Sequence, residues 1–202
     1  MTEKKQTKGS KTRERVIKCA SELMSEKGVG AASLSDIASA AGIRKPSLYN
    51  HFESREELEE SVFSYIEALL AKADFLPADI VSIVETYTPA AVLKAVIYRY
   101  VKAFIVPPAL NAYKIIATEK FFTARVADIE KKQHDSLLSQ VKELISIMKE
   151  AGKLAASDED FAAETLTHEI EVVLAESVIA GTADEERLAV FSERFSLLYA
   201  VR

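Results

Sequence analysis

Apolar residues recur along this chain at the three- and four-residue spacing of helices almost from end to end. No segment shows the regular alternation of a half-buried strand. From Lys11 to Lys27, Val16, Ile17, Ala20, Leu23 and Met24 mark one face of an amphipathic helix that Gly28 closes. A long helix is predicted from about Ser54 to Ala73, with Leu58, Val62, Ile66, Leu69, Leu70 and Ala73 on one face and Ser54 and Glu57 at capping-box spacing. The stretch from Asp74 to Pro89, with Pro77 and Pro89, leaves room for a short helix at best. The next, about Thr88–Val106, is apolar on a wide arc (Val92, Leu93, Val96, Ile97, Tyr100, Val101, Phe104, Ile105), reads as central, and ends at Pro107-Pro108. Further helices are predicted near Ala109–Thr123, Arg125–Glu150, Asp158–Ala180 and Asp184–Val201, with Gly152 and Gly181 as breaks. The pattern predicts an all-α protein.

Between the first and the long helix the chain changes character. Ser33 stands three residues before Asp36, the spacing of an N-cap with an acidic first turn. Ile37, Ala38 and Ala41 form the inward stripe of a short helix, and Gly42 allows the chain to turn through a positive φ. A second short helix opens at Lys45-Pro46, where proline costs no hydrogen bond. Leu48 and Phe52 face its core, which leaves Ser47, Tyr49, Asn50 and His51 around the outward and flanking faces, Lys45 at the entrance and Arg55 beyond the end. Two short helices joined this way make a helix-turn-helix whose second helix suits a DNA major groove. Lysine can donate to guanine and asparagine can pair with the edge of adenine, so Lys45 and Asn50 are the candidate base readers. Ser47, Tyr49, His51 and Arg55 suit backbone contacts.

The motif resembles the DNA-binding domain of TetR-family transcriptional regulators. The resemblance is carried by Ser33, Ile37-Ala38, Ala41-Gly42-Ile43, Leu48-Tyr49-Asn50-His51-Phe52 and Arg55-Glu56-Glu57-Leu58, without a gap. Arg44 departs from the family pattern, standing where a small capping residue is usual. The resemblance implies a three-helix DNA-binding domain followed by a helical ligand-binding and dimerisation domain, about nine to ten helices in total. It assigns Lys45, Ser47, Tyr49, Asn50 and His51 to DNA, with Arg44, Ser35 and Arg55 beside them. The expected division is a disordered tail over 1–10, the DNA-binding domain over 11–55 and the body over 56–202. A boundary near Asp74–Pro89 is equally compatible with the sequence.

Charge supports the division. The chain carries a net −5 overall. Residues 1–55 hold 11 Lys/Arg against 6 Asp/Glu, net +5, and the remaining residues hold 15 against 25, net −10. A locally basic head can attract phosphates despite an acidic body, because charge acts over about a Debye length of 8–10 Å. The 202 residues, 49% hydrophobic, suffice for a sizeable core in one or two domains. The single cysteine, Cys19, excludes an intramolecular disulfide and cysteine-built zinc clusters. With no apolar run of about 18 residues and no signal peptide pattern, a cytoplasmic protein without membrane contact is expected. No nucleophile elbow, phosphate-binding loop or zinc-protease motif is present, so an enzyme is not expected. His134 is isolated, and His168 with Glu164 and Glu171 is the nearest approach to a ligand set. Neither metal nor cofactor is predicted.

The last two helices suggest a homodimer. Leu166, Ile170, Val173, Leu174 and Val178 form one stripe with Ser177 and Gly181 beside it, and Leu188, Phe191, Phe195 and Leu198 form another. Val190, Leu197 and Val201 add a second apolar face to the terminal helix, more than one intramolecular contact needs. In the family these helices form an intermolecular bundle, and the two-fold dimer matches a palindromic double-stranded DNA operator. The resemblance also implies a small-molecule effector, for which Arg99, Tyr100, Phe104, Tyr113, Phe121 and Phe122 are the candidate contacts. The function expected is a dimeric repressor released from its operator by that molecule. The alternative is a TetR-like adaptor acting mainly through protein contacts of its body.

Overall fold

A computed structural model describes residues 8–201. Among the described residues there are ten helices and no strand, in the order α1 (Lys8–Lys27), α2 (Leu34–Ala40), α3 (Lys45–Leu48), α4 (Arg55–Leu70), α5 (Ile80–Thr86), α6 (Pro89–Phe104), α7 (Ala109–Glu119), α8 (Ala124–Glu150), α9 (Glu159–Ala180) and α10 (Glu185–Leu198). The all-helical fold and its helix count agree with the periodicity. Residues 1–7 of the expected tail lie outside the described residues. The rest of that tail, 8–10, is helical, because adding a residue to an existing helix avoids the cost of a new nucleus.

The ends follow local chemistry. Ser33, Thr88, Asp158 and Asp184 each accept a hydrogen bond from the amide three residues on, capping α2, α6, α9 and α10. Ser54 Oγ likewise accepts from Glu57 N–H at 3.2 Å. Glu57 Oε2 accepts from Glu53 N–H at 2.6 Å, one residue before the partner a capping box would use. Gly181 closes α9 at φ 72°, a left-handed conformation in which a Cβ would be strained.

The chain divides into two compact units. One comprises the described residues through Leu70 together with Pro108–Glu130, and the other comprises Ala71–Pro107 and the chain from Lys131 onward. These units cut across the contiguous division expected from the sequence, because α7 returns to pack on α1 and α4. The first unit buries Val16, Ala20 and Met24 of α1, Ile37 and Ala38 of α2, Leu48, Phe52, Leu58, Val62 and Ile66, and Ala112 and Ile115 of α7. The apolar face of α7 is thus part of the core that carries the helix-turn-helix. Arg125 of α8 pairs with Glu60 at 3.1 Å and with Glu67 of α4, which raises its already high pKa, the Glu67 hydrogen bond contributing most.

In the second unit α6 packs against α5, α9 and α10. Its wide apolar arc is buried through Val92, Leu93, Val96, Ile97, Tyr100, Val101 and Phe104, so this helix is central within its unit.

Candidate nucleic-acid interface

The candidate interface lies at the turn between α2 and α3. Ser33 Oγ accepts from Asp36 N–H at 3.1 Å, and Lys27 reaches Asp36 at 3.2 Å, tying the end of α1 to the first turn of α2. At the other end of α2, Ile43 N–H donates to Ala38 O at 2.9 Å and Gly42 N–H to Ser39 O at 3.0 Å. That double bond pattern is a Schellman motif, and it requires the positive φ of Gly42, 66°. The chain then enters α3 through Arg44, which has extended backbone and makes no side-chain cap. The departure at this position therefore leaves a helix start without side-chain capping and an exposed cation beside it.

A four-residue helix has almost no stability of its own. Burial of Leu48 and Phe52, each worth about 1.5–3 kcal/mol, fixes it against the rest of the domain. After Leu48 the chain continues as a turn through His51, with His51 and Phe52 amides both donating to Leu48 O. This arrangement turns Arg44, Lys45, Tyr49 (53% exposed) and Asn50 outward together, with Ser47 and His51 half-buried at the flanks and Ser35 exposed on α2.

Arg55 is placed differently from the other candidates. Its guanidinium donates to Val29 O at 2.6 Å and Ala32 O at 3.0 Å and pairs with Glu59 at 2.7 Å. It is a strut between α4 and the loop before α2, its donors engaged inside the domain, so the outward cation predicted at this position is corrected to an internal one. The reason is geometric: the carbonyls it needs are brought to it by the packing of α1 on α4.

Arg13 is a residue that sequence reasoning missed. From α1 its Nε donates to His51 O at 3.4 Å and its Nη2 to Glu57 Oε1 at 3.1 Å and Ser61 Oγ at 2.9 Å, while the guanidinium lies 4.7 Å from the Phe52 ring centroid. One signal was available. Arg13 precedes Val16 by three residues and Ala20 by seven, so helical spacing puts a cation beside the apolar stripe, where it needs partners.

Three carboxylates around this motif titrate low. The Lys27 hydrogen bond, with help from Ser33, lowers Asp36. The Ser54 hydroxyl lowers Glu56. The Glu53 backbone amide lowers Glu57, followed by Arg13.

The structure separates the six effector candidates. Tyr100 and Phe104 are buried in an aromatic cluster with Phe75, the Tyr100 ring 5.6 Å from Phe75 and 4.8 Å from Phe104, and Gln133 Nε2 donates to Tyr100 Oη at 3.0 Å. Arg99 donates to the carbonyls of Asp74 and Phe75 at 2.8 and 2.6 Å, so it holds the chain before α5 rather than a free anchor position. Tyr113 (half-buried), Phe121 and Phe122 belong to the other unit. Phe121 and Phe122 are 77% and 84% exposed at the turn after α7, so they line no interior pocket: aromatic residues at helical spacing do not reveal which side of a turn faces out.

Among the residues predicted at a dimer interface, Leu166, Ile170, Val173, Leu174, Ser177, Leu188 and Phe195 are buried within the chain itself. They form its core and are not available to a partner, because α6 packs on both α9 and α10. Val178 and Phe191 are half-buried, and Gly181 and Leu198 are exposed. The outward apolar positions are Phe161, Val172 and Ile179 on α9 and Val190, Leu197, Leu198 and Val201 on or after α10. Beside them a cleft of about 520 Å³ is lined by Glu169, Asp184, Glu186, Arg187, Val190, Phe191 and Arg194, with Arg187 paired to Glu169 at 2.9 Å and to Glu176. His134 Nδ1 lies 2.6 Å from Glu171, and the His168 ring is 6.1 Å from that of His134. Among the described residues no group of three or more His, Cys, Asp or Glu side chains is placed to hold a metal ion, and no helix is long and apolar enough to cross a membrane.

Comparison with known proteins converges on this motif. Residues 16–62 match the sequence model of the bacterial regulatory proteins of the tetR family. The chain is 28% identical over 74 residues to the HTH-type transcriptional regulator AcrR of Shigella flexneri and 36% identical over 61 residues to the HTH-type transcriptional repressor KstR2 of Rhodococcus jostii, matches that cover 37% and 30% of this chain. They span only about a third of those relatives, 34% and 30% of their lengths. The fold is similar over nearly the whole chain to two solved structures. A TetR transcriptional regulator from Chloroflexus aurantiacus has a TM-score of 0.68 at 21% identity, covering 96% of this chain and 98% of that one. A TetR transcription regulator from Haloarcula marismortui has 0.67 at 15%, covering 95% and 100%. Residues 16–62 thus carry the sequence pattern of the tetR family at the helix-turn-helix, and the chain as a whole has the fold of solved TetR regulators.

Proposed function

We propose that the protein is a sequence-specific, DNA-binding transcriptional repressor that acts as a homodimer and leaves its operator when a small molecule binds the helical body. The observation that carries the DNA-binding part is the joint outward placement of Arg44, Lys45, Tyr49 and Asn50 on and beside α3. Lys45 and Asn50 read base edges in the major groove, and Ser35, Arg44, Ser47, Tyr49 and His51 contact the backbone and set register. Two such helices in a dimer must stand about 34–36 Å apart to enter successive major grooves, which calls for a palindromic operator. The exposed apolar positions of α9 and α10 supply a self-complementary face for the second copy.

The effector acts on the Phe75–Tyr100–Phe104 cluster, where the Tyr100 hydroxyl and Gln133 give a polar point inside an apolar surround. Release follows only if the ligand prefers a body conformation in which α4 is displaced, since equal affinity for both states shifts nothing. A few ångströms of change in the separation of the reading helices then lowers operator affinity.

Footprinting and titration of the full chain on DNA flanking its own coding sequence, at two salt concentrations, tests the reading. A two-half-site footprint is expected, with log affinity falling against log salt by about 0.9 per neutralised phosphate. Asn50→Ala and Lys45→Ala are each expected to cost about 1–3 kcal/mol at the operator. Binding that is weak and independent of sequence, there and on genome-selected fragments, would sink the repressor and favour the adaptor.

A further inference from the structure

We infer that Arg13 is the positioning residue of the recognition helix: from α1 it holds the C-terminal end of that helix in register with α4, and so sets where Asn50 and Tyr49 stand. This rests on the DNA-reading function proposed above and names the residue on which that function's specificity depends. Three features of the site carry it. The recognition helix is four residues long, lacks a side-chain cap at its start and contains a proline in its first turn, so its direction is set from outside. Its start is joined to α2 by the Gly42 turn, and its end is joined to the rest of the domain by Leu48 and Phe52, by the Arg13 contact with His51 O and, just beyond Phe52, by the Glu53 N–H bond to Glu57. The Arg13 tether is shared: the same guanidinium covers the Phe52 ring and donates to Glu57 and Ser61, on two successive turns of α4.

The chemistry explains why arginine is used. A planar guanidinium can donate along three directions while its face rests on an aromatic ring, and a lysine ammonium cannot do both from one position. As an ion pair alone, Arg13–Glu57 would count for little, since both side chains are about 40% exposed. Its contribution is geometric. Removing it leaves the buried Leu48 and Phe52 anchors in place and frees the turn at Asn50–His51 to pivot about them, which degrades base contacts needing sub-ångström placement while leaving phosphate attraction intact.

The test uses the full chain with Arg13→Gln and Arg13→Lys, their folding checked by thermal unfolding. In amide hydrogen exchange on the free protein, Arg13→Gln is expected to speed exchange at Asn50, His51 and Phe52 by about tenfold, with Ala41 and Gly42 of the preceding turn changed less than about twofold. Equal acceleration at both places, or none at either, overturns the inference. On DNA, Arg13→Gln is expected to lose about tenfold in affinity for the operator and less than about twofold for unrelated DNA, with the salt slope unchanged, and Arg13→Lys to recover part of the loss. A salt slope smaller by about one phosphate would mean that Arg13 touches DNA itself, and would overturn it. If the wild-type chain shows no operator preference, the DNA-reading function fails, while the exchange measurement still decides whether Arg13 holds the helix end.

Discussion

Arg44 and Arg55 flank the recognition helix, yet their surroundings differ. Arg44 is exposed, whereas Arg55 is directed inward to the carbonyls of Val29 and Ala32 and the carboxylate of Glu59. Arg55→Ala is accordingly expected to destabilise the domain by about 1–3 kcal/mol, since hydrogen bonds from a charged donor to half-buried acceptors are lost. Arg44→Ala should change stability by less than about 0.5 kcal/mol and act only on DNA affinity. Urea unfolding of the two variants, set against their operator titrations, separates the roles. The sequence around each arginine does not distinguish these outcomes, because Arg55's acceptors lie in a loop more than twenty residues earlier and are brought near by tertiary packing. The outward residues Lys45, Tyr49 and Asn50 could be read directly, since Leu48 and Phe52 fix which face turns in.

For the helices, local rules were the most legible. The caps at Ser33 and Asp184 and the positive φ of Gly42 follow from residues within a few positions of each other. The acidic members of this local chemistry give a pH dependence. Asp36, Glu56 and Glu57 have folded pKa values below their ordinary values of 3.8 and 4.5. A carboxylate held low in the folded state contributes stability that is full above its unfolded pKa and is lost as pH falls through the folded one. The helix-turn-helix unit should therefore keep its stability from neutrality down to about pH 5 and lose it progressively below about 4.5. Urea midpoints measured from pH 7 to 3 check this, and an Asp36→Asn, Glu57→Gln double variant should show a flatter acid limb. An unchanged acid limb would remove these groups from the account. The short extent of α3, ending at Leu48 with a turn through His51, was not legible, because periodicity continues through Phe52 whether the backbone is helical or turned.

Across the molecule, the question is which apolar face meets which neighbour. Leu188 is fully buried, while Ile179 and Leu197 are 87% and 75% exposed. Leu188→Ala should cost about 2–5 kcal/mol of stability through a core cavity. Ile179→Glu and Leu197→Glu should leave the fold intact and weaken self-association instead. Sedimentation across a concentration series measures the difference: a concentration-dependent dimer for the wild type, shifted toward monomer in the two exposed-site variants. A wild type that remains monomeric would refute the proposed assembly.

The sequence by itself determined the helical class, most helix boundaries, the basic character of the first 55 residues and the helix-turn-helix. These depend on hydrophobic period, caps, glycine conformation and charge, all set by residues near one another in the chain. Tertiary structure alone decided that α7 joins the core of the helix-turn-helix unit, that Arg13 and Arg55 are internal tethers, and that Leu166 and Leu188 are core while Leu197 is surface. A helix with apolar residues on two faces satisfies its own period whichever face turns inward. The choice is made by which distant elements arrive to cover it.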